Sequence, residues 1–527
     1  MPDDAPDDPR PPAAPSGQTR QRQLITALRD RLAHEFADDV EQIETHISIL
    51  LLTRDRVYKI KKAVTLDFVD YGSLACRRAC CEAELRLNRR FAPALYLRCV
   101  AIGGTPSQPM LDREPAIEYA VEMQRFPAEA QADVRARDGR LALGSIDALA
   151  ETIAGYHACA ERAMPADEHD DGTAVVGATV RSNVDQLQRA GPSPIQVRLA
   201  PLVPALERLL KQTEPSLAER RTQGRVRECH GDMHLANLIY RDRRWSAFDC
   251  IEFDPALRWI DVMDDLAFPL MDLQAYGLAR HAHRLLNRYL EITGDYLGLG
   301  VLRLYLVHRA LVRAKIALLS AADRAGYRRP ADYLTAAMDL ARPRARLVIT
   351  HGISGSGKSR AAAYVAERFG FVRIRSDVER KRLYGRAAHD RGAAHAGAPL
   401  YAPNATAATY AQLLKLARPA LLAGWPIILD ATFLERRYRD AARALAAHVH
   451  CRFHILDLAV DADTARQRIQ ARAGSDASDA DRQVLDHQLD GYQPLAPDEQ
   501  RETLTTRGDT TDLERWFSAW QTSSPGY

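Results

Sequence analysis

The sequence has little net charge, with 72 Lys and Arg against 69 Asp and Glu, or +3 over 527 residues. It lacks the basic excess of a dedicated nucleic-acid binder, so nucleic acid is not the expected partner, although it is not excluded for the C-terminal part. Cysteine is scarce at eight residues. None forms a C-x-x-C pair of the kind that marks a metal loop. Cys76, Cys80 and Cys81 fall in a stretch of helical character, so the thiols read as reduced and the expected location is cytoplasmic. Long apolar runs are missing too. The most apolar helix, 301–319, is interrupted by Arg303, His308, Arg309, Arg313 and Lys315 and cannot offer ~18 uncharged residues to lipid. Residues 1–17 lack the basic and apolar regions of a signal peptide; acidic and proline-rich, they are expected to belong to a disordered tail over 1–22. Glycine is absent between Gly17 and Gly72, which excludes a glycine-rich loop from that stretch.

At ~100–200 residues per domain the length predicts two to four domains. Apolar residues at 46% and charged residues at 27% are ordinary globular usage. Over 43–62, apolar β-branched runs flank the polar turn Thr53-Arg54-Asp55, the pattern of a hairpin. Residues 74–88 have helical spacing, 116–126 read as a strand stopped by Pro127, and 146–163, 201–212, 277–292 and 301–322 read as helices. The prediction is a first domain at 23–341, with a strand-containing lobe at about 40–126 and a helical lobe at 127–341. Arg342-Pro343-Arg344 ends a helix. From 345 to 527, strands (347–350, 371–375, 427–430, 452–459) alternate with helices (359–369, 405–423, 435–447, 462–473), which predicts a parallel α/β sheet. Residues 385–403, rich in small side chains, read as a mobile surface loop.

Gly352-Ile353-Ser354-Gly355-Ser356-Gly357-Lys358-Ser359 fits G-x-x-x-x-G-K-[ST] between a predicted strand and a predicted helix. In such a loop Gly352, Ser354, Gly355, Ser356 and Gly357 aim backbone N–H groups at phosphate oxygens. Lys358 meets the β/γ phosphates and Ser359 offers a hydroxyl to Mg²⁺. Asp430 ends the strand 427–429, where a second Mg²⁺-shell carboxylate belongs, although a strand-end Asp also caps turns. Asp377 follows strand 372–375 at the same sheet edge, where it can deprotonate an acceptor hydroxyl or cap the next helix. Arg380, one turn on, can hold an anionic substrate group. Arg468 and Arg472, four apart on the helix after Asp463, share a face that could close over ATP, whereas Arg466 points elsewhere; a solvated basic helix has the same look. With these residues in hand, 345–520 resembles the small P-loop kinases that include gluconate, shikimate and adenylyl-sulfate kinases, polynucleotide kinases and zeta toxins. The resemblance implies ATP at Lys358 and Ser359, a substrate-side Asp377, and a lid arginine at Arg468 or Arg472.

His230-Gly231-Asp232-Met233-His234-Leu235-Ala236-Asn237 has the H-x-D-x-x-x-x-N spacing of a phosphotransferase loop. Asp232 can accept or orient a hydroxyl proton, Asn237 can turn back to ligate Mg²⁺, and Asp249, at the end of a strand twelve residues later, stands where a second metal-binding Asp is expected. These residues resemble the aminoglycoside phosphotransferase and choline kinase family over about 40–325, a resemblance that implies a protein-kinase-like two-lobed α+β fold with His230 and His234 bracing the loop. Lys59 is the choice for the lysine on the α/β phosphates, with Glu82 or Glu84 as its ion-pair partner, although Lys61 shares its face. Thr45, His46 and Ser48 are candidates to replace the missing glycine-rich loop, and 121–125 the candidate hinge strand against adenine. Asp254, Asp261, Asp264 and Asp265 read as caps and turns, and Arg309, Arg313 and Lys315 as a solvated face.

The order of the two parts resembles a bacterial group of fusion proteins described as aminoglycoside phosphotransferase plus ATP-binding protein. The expectation is a two-domain, bifunctional kinase, each domain using ATP and Mg²⁺ to phosphorylate a small-molecule hydroxyl. The alternative is a regulatory ATP sensor that gates a partner without small-molecule phosphorylation.

Overall fold

The computed structural model describes residues 17–37, 39–66, 69–163, 173–319, 329–386, 403–471 and 482–522. Residues 1–16 of the expected tail, 387–402 of the expected loop, and Arg472 lie outside the described residues. The tail expected through residue 22 is corrected over 17–22, which are the first turns of helix Gly17–Phe36. The physical reason is tertiary. Gln21 is buried and donates to Lys61 O at 2.8 Å and Glu118 Oε2 at 2.7 Å, which offsets the ordering entropy that a polar terminal stretch would otherwise lose.

Two compact units emerge. One contains the residues up to Val134 with His230–Asp242 and Ser246–Trp259; the other contains Arg135–Cys229, Arg243–Trp245 and Ile260 onward. This division differs from a cut at 342–345, because the helical stretch before 341 shares side-chain bonds with the parallel sheet that follows it.

The first unit is built on a six-stranded antiparallel sheet. Its spatial order is Glu41–Glu44, Ser48–Leu52, Arg56–Lys61, Ala116–Gln124, Tyr96–Thr105, Gln108–Leu111. The hairpin over Thr53-Arg54-Asp55 has the expected turn, with Leu52 opposite Val57. Period-2 alternation on strand Arg56–Lys61 sends Tyr58 and Ile60 to one face, where they pack with Leu24, Leu28 and Leu32 of the first helix. Val57, Lys59 and Lys61 take the other face. There Val57, Tyr96 and Val121 pack with Cys81 of helix Leu74–Asn88, whose N-terminus is capped by Ser73 accepting from Cys76 N–H. Apolar residues thus anchor the face on which two lysines are buried.

In the second unit, helices that include Ile146–Cys159, Leu202–Thr222, Val262–Ala275, Ala279–Thr293 and Leu299–Leu319 precede a five-stranded parallel sheet. The sheet order is Val372–Arg375, Pro426–Asp430, Arg346–His351, Arg452–Leu458, Thr503–Thr506. Val348, Ile428 and Leu456 of the sheet pack with Ala362, Val365 and Phe369 of helix Lys358–Phe369, and with Phe517. The expected solvated face of helix Leu299–Leu319 is corrected. Arg309 is buried in a bidentate pair with Asp264 at 2.7 and 2.8 Å, and Lys315 donates to Asn183 Oδ1 at 2.6 Å. The helix packs on both Val262–Ala275 and Pro330–Ala341, so its cations need internal partners. Asp254 and Asp261 do cap helices, whereas Asp265 pairs with His157 at 3.2 Å. Among the described residues no helix is long and apolar enough to cross a membrane.

Candidate functional site

Lys59 and Lys61 are two apart on one strand face, and their partners separate them. Lys59 Nζ donates to Glu84 Oε1 at 2.7 Å and also bonds Asp249. Lys61, with no exposed surface, is held by Glu84 and Glu252, and Tyr71 Oη donates to Glu252 Oε1 at 2.5 Å. Burial works to lower both ammonium groups, and the carboxylates around them override it, keeping both charged well above their ordinary range. Glu84 is the carboxylate that Lys59 meets, while Glu82 pairs with Arg78 at the surface. Lys59 is therefore the lysine at the Asp249 end of the network, and Lys61 braces it from below.

Asp249 adopts a left-handed backbone, φ 63°, which Asp tolerates better than most residues. Its N–H donates to Tyr96 Oη at 3.0 Å, and the next N–H, of Cys250, donates to Asn88 Oδ1 at 2.9 Å. These bonds fix a side chain that is still 47% exposed. Burial acts to raise the carboxyl, and Lys59 more than offsets it, so Asp249 is held below the ordinary carboxylate range. The loop beside it is braced by its histidines. His230 Nε2 bonds Phe248 O at 2.9 Å while its Nδ1 accepts from Asp232 N–H at 3.3 Å, and the His234 ring accepts from Ala236 N–H at 3.2 Å. Asn237 Nδ2 donates to Asp232 O at 2.9 Å and to Asp232 Oδ2 at 3.2 Å, and Phe248 N–H donates to Asn237 O at 3.0 Å. Gly231, at φ 84°, admits no side chain, since a Cβ would stand 2.5 Å from Leu257 O. Lys59, Asp232, Asn237 and Asp249 are thus connected by direct bonds or by the loop backbone.

Two placements differ from expectation. Val121–Met123 are paired with strands on both sides, and Arg125 N–H donates to Asp55 O at 3.0 Å, so the 121–123 backbone and the Arg125 N–H are engaged in the sheet rather than available to a base. Thr45 Oγ1 accepts from Ser48 N–H at 2.9 Å and donates to Ser48 O at 3.1 Å, committing that hydroxyl to the turn.

The phosphate loop follows strand Arg346–His351. Gly352, Gly355 and Gly357 all have positive φ, and a Cβ on Gly355 would meet Ala465 O at 2.7 Å, so glycine is required there on two counts. Lys358 Nζ donates to Ile353 O at 2.6 Å, and Ser359 Oγ lies 3.2 Å from Asp430 Oδ1. Asp430 is buried at the end of strand Pro426–Asp430, and its Oδ2 has no hydrogen-bond partner, nor has the buried Ser356 Oγ. Lys358, Ser359, Asp430, Arg375, Asp377 and Arg380 line one cavity of about 550 Å³. Asp377 lies in the first turn of helix Ser376–Leu383 rather than at its cap and stands 3.7 Å from Arg380. Arg468 Nη1 reaches Gly355 O and Ser356 O at 3.4 Å, while Arg466 pairs with Asp463 and Asp486.

Some cavity residues carry no signal in the sequence. Gln488, on helix Arg482–Asp490, accepts from Ser354 N–H at 2.8 Å across 134 residues of chain. Tyr410 stacks on Tyr438 with centroids 3.9 Å apart. A helical glutamine and two tyrosines in separate helices have no spacing that betrays them.

Both sites fit Mg²⁺ in donor type, which is oxygen throughout. Asn237 and Asp249 would hold it in the first unit. In the second, Ser359 and Asp430 would hold it, and the buried Asp430 Oδ2, which has no hydrogen-bond partner, fits a metal-ligating oxygen.

An antiparallel lobe whose helix carboxylate meets a strand lysine beside an Asp-Asn loop is protein-kinase-like. A parallel sheet with its phosphate loop is a P-loop nucleotide-binding domain, and the family model described as "AAA domain" matches residues 347–495. The chain belongs to the family of a Mycobacterium tuberculosis (strain ATCC 25618 / H37Rv) protein described as uncharacterized. The two are 30% identical over 468 residues, 86% of this chain and 90% of that one, and a Mycobacterium bovis protein matches equally. Among solved structures, a gluconokinase from Sinorhizobium meliloti 1021 is 20% identical, with a TM-score of 0.25 over 35% of this chain and 100% of that one. A glucosamine kinase in complex with glucosamine, ADP and inorganic phosphate is 16% identical, with a TM-score of 0.39 over 62% of this chain and 83% of that one. A choline/ethanolamine kinase family protein from Mesorhizobium loti is 11% identical, with a TM-score of 0.36 over 60% and 93%.

Proposed function

We propose that the chain is a cytoplasmic, ATP-dependent phosphotransferase with two separate sites, each passing the γ-phosphate of ATP to a small-molecule hydroxyl. The observation that carries this reading is the connection of Lys59, Asp232, Asn237 and Asp249 within one unit, because a site that only binds nucleotide has no use for Asp232. Lys59 would meet the α/β phosphates, and Asn237 and Asp249 would hold Mg²⁺, which when bound neutralises phosphate charge. Asp232 takes the acceptor's proton. In the second unit Lys358 and the loop N–H groups hold phosphates, Ser359 and Asp430 hold the metal, Asp377 is the base, and Arg468 stands beside the loop.

Arg380 in the cavity favours an acceptor that carries an anionic group. Tyr438 has one face on Tyr410 and the Arg437 guanidinium 4.7 Å from its ring centroid, so the tyrosine pair is a wall rather than a platform for a stacked base. This supports a compact hydroxylated anion.

The sensor reading is favoured by one observation, the turn at Thr45, whose hydroxyl is committed internally and which supplies no glycine-rich cover over phosphates. The two readings part on one assay. γ-Labelled ATP is offered with a library of hydroxylated metabolites to the Lys358→Ala chain, with and without Asp232→Asn. Transfer that falls ~10²–10⁴-fold with Asp232→Asn, at nearly constant ATP affinity, is the expected outcome. Absence of Asp232-dependent product from every acceptor would favour the sensor.

A further inference from the structure

Arg373 and Arg375 are two apart on the edge strand Val372–Arg375, so they leave the same face of it. Both end on one carboxylate, that of Glu291 on helix Ala279–Thr293. Arg373 Nη2 is 3.3 Å from Oε2 and Arg375 Nη1 is 3.2 Å from Oε1, with Arg288 Nη1 at 3.6 Å. Arg373 also donates to Ser359 O at 3.1 Å, at the start of the phosphate-loop helix. The Glu291 and Arg375 side chains are each only 9% exposed, so this is a buried pairing and not a surface contact.

The other side of Arg375 faces the metal-site candidate. Its Nε stands 3.9 Å from Asp430 Oδ2, a long ion-pair distance beyond hydrogen-bond reach, and that oxygen has no hydrogen-bond partner. A buried arginine beside a buried carboxylate ordinarily closes into a charge-assisted bond, since the low dielectric strengthens the attraction. Here the guanidinium bonds Glu291 instead. We infer that Glu291 is a positioning residue for the phosphate-loop site: it holds Arg375 off Asp430 and so keeps the Asp430 carboxylate available to Mg²⁺. The inference rests on Asp430 being a metal ligand. It also extends the site beyond the residues 347–495 that match the AAA domain, into the helical stretch before them.

The test is metal binding rather than turnover. The full chain carrying Asp249→Ala, which removes the other candidate metal site, is titrated with Mn²⁺ in saturating ADP while free Mn²⁺ is followed by electron paramagnetic resonance. The same chain with Lys358→Ala defines the part of the signal that belongs to the phosphate loop. Glu291→Gln is expected to weaken that part about tenfold, a step of ~1.4 kcal/mol, and to leave ADP affinity without metal within about twofold. Adding Arg375→Gln is expected to restore Mn²⁺ binding, which a merely structural role for Glu291 would not produce. Unchanged Mn²⁺ affinity in Glu291→Gln, or a loss that Arg375→Gln does not relieve, overturns the inference. Should Glu291→Gln fail to fold, Arg375→Gln alone decides: equal or tighter Mn²⁺ binding upholds the role and weaker binding overturns it. If Lys358→Ala leaves the whole signal intact, the phosphate-loop reading fails, and the inference falls with it.

Discussion

Lys61 is a fully buried ammonium between two buried carboxylates, Glu84 and Glu252. Removing one member of such a group leaves the others charged and unpaired, at a cost of ~3–5 kcal/mol. Lys61→Met is expected to lower the unfolding free energy by about that amount in a urea titration. Glu82→Ala, which breaks the exposed pair with Arg78, is expected to leave it almost unchanged. Equal effects would contradict the distinction between the two glutamates. A second residue-scale expectation concerns pH. Burial, aided by Arg346 and Arg452, pushes the His454 imidazole down to about 4 from its ordinary 6.5. Between those values the unfolded chain binds a proton that the folded chain refuses, so stability is lost as pH falls through that window. Burial moves His283 and His308 the same way. His454→Gln should flatten the dependence of unfolding free energy on pH between 4 and 6.5 by up to ~1.4 kcal/mol per pH unit. An unchanged slope in urea titrations across that range would place the His454 proton differently. The phosphate loop was legible at this scale because backbone geometry imposes its spacing. Lys59 and Lys61 were not separable, because the distinction lies in Asp249 and Glu252, which are about 190 residues away.

Among the elements, helix Ala279–Thr293 does more than cover the sheet. The Asn287 carboxamide donates to Phe371 O at 3.0 Å and accepts from Arg373 N–H at 2.7 Å, so it pairs the outer edge of strand Val372–Arg375 as a neighbouring strand would. Asn287→Leu keeps the size and removes both bonds. Each backbone group left unpaired costs ~1–3 kcal/mol, so the full chain should lose roughly 2–6 kcal/mol in denaturant, with faster hydrogen exchange at the Arg373 amide. Unchanged exchange there would mean that the edge is covered in some other way. Element boundaries were readable where pattern and cap agree, as at Leu74–Asn88 and Lys358–Phe369. Helix Leu202–Thr222 overran its expected end at 212 and passes through Pro215. Its last turns are held by buried Arg220, which pairs with Asp261 and Asp295, a tertiary bond with no local signature. Strand Tyr96–Thr105 has little sequence signature, because its Gly103-Gly104 end and the register shifts against Ala116–Gln124 blur the alternation.

For the whole molecule, the order of strand-rich, helical and α/β stretches could be read from periodicity, and the lobes of a kinase-like fold followed from the resemblance at HGDMHLAN. The compact units could not be read in this way. Glu291, Asn287 and His283 bond Arg373, Arg375, Phe371 O and Glu367 O, which joins the helical stretch to the parallel sheet through side chains far apart in sequence. A boundary drawn at the Arg342-Pro343-Arg344 break marks where one pattern stops, and it does not mark where packing stops. What the two units have in common is a complete set of candidate nucleotide residues in each, Lys59 to Asp249 in one and Gly352 to Asp430 in the other. The most direct test of two independent sites is to count them by calorimetric titration of the full chain with ADP in excess Mg²⁺. Two ADP per chain are expected in the wild type, one in Lys358→Ala, one in Asp249→Ala and none in the double variant. A single ADP per chain in the wild type, abolished by Lys358→Ala and untouched by Asp249→Ala, would contradict the assignment of a nucleotide site to the first unit.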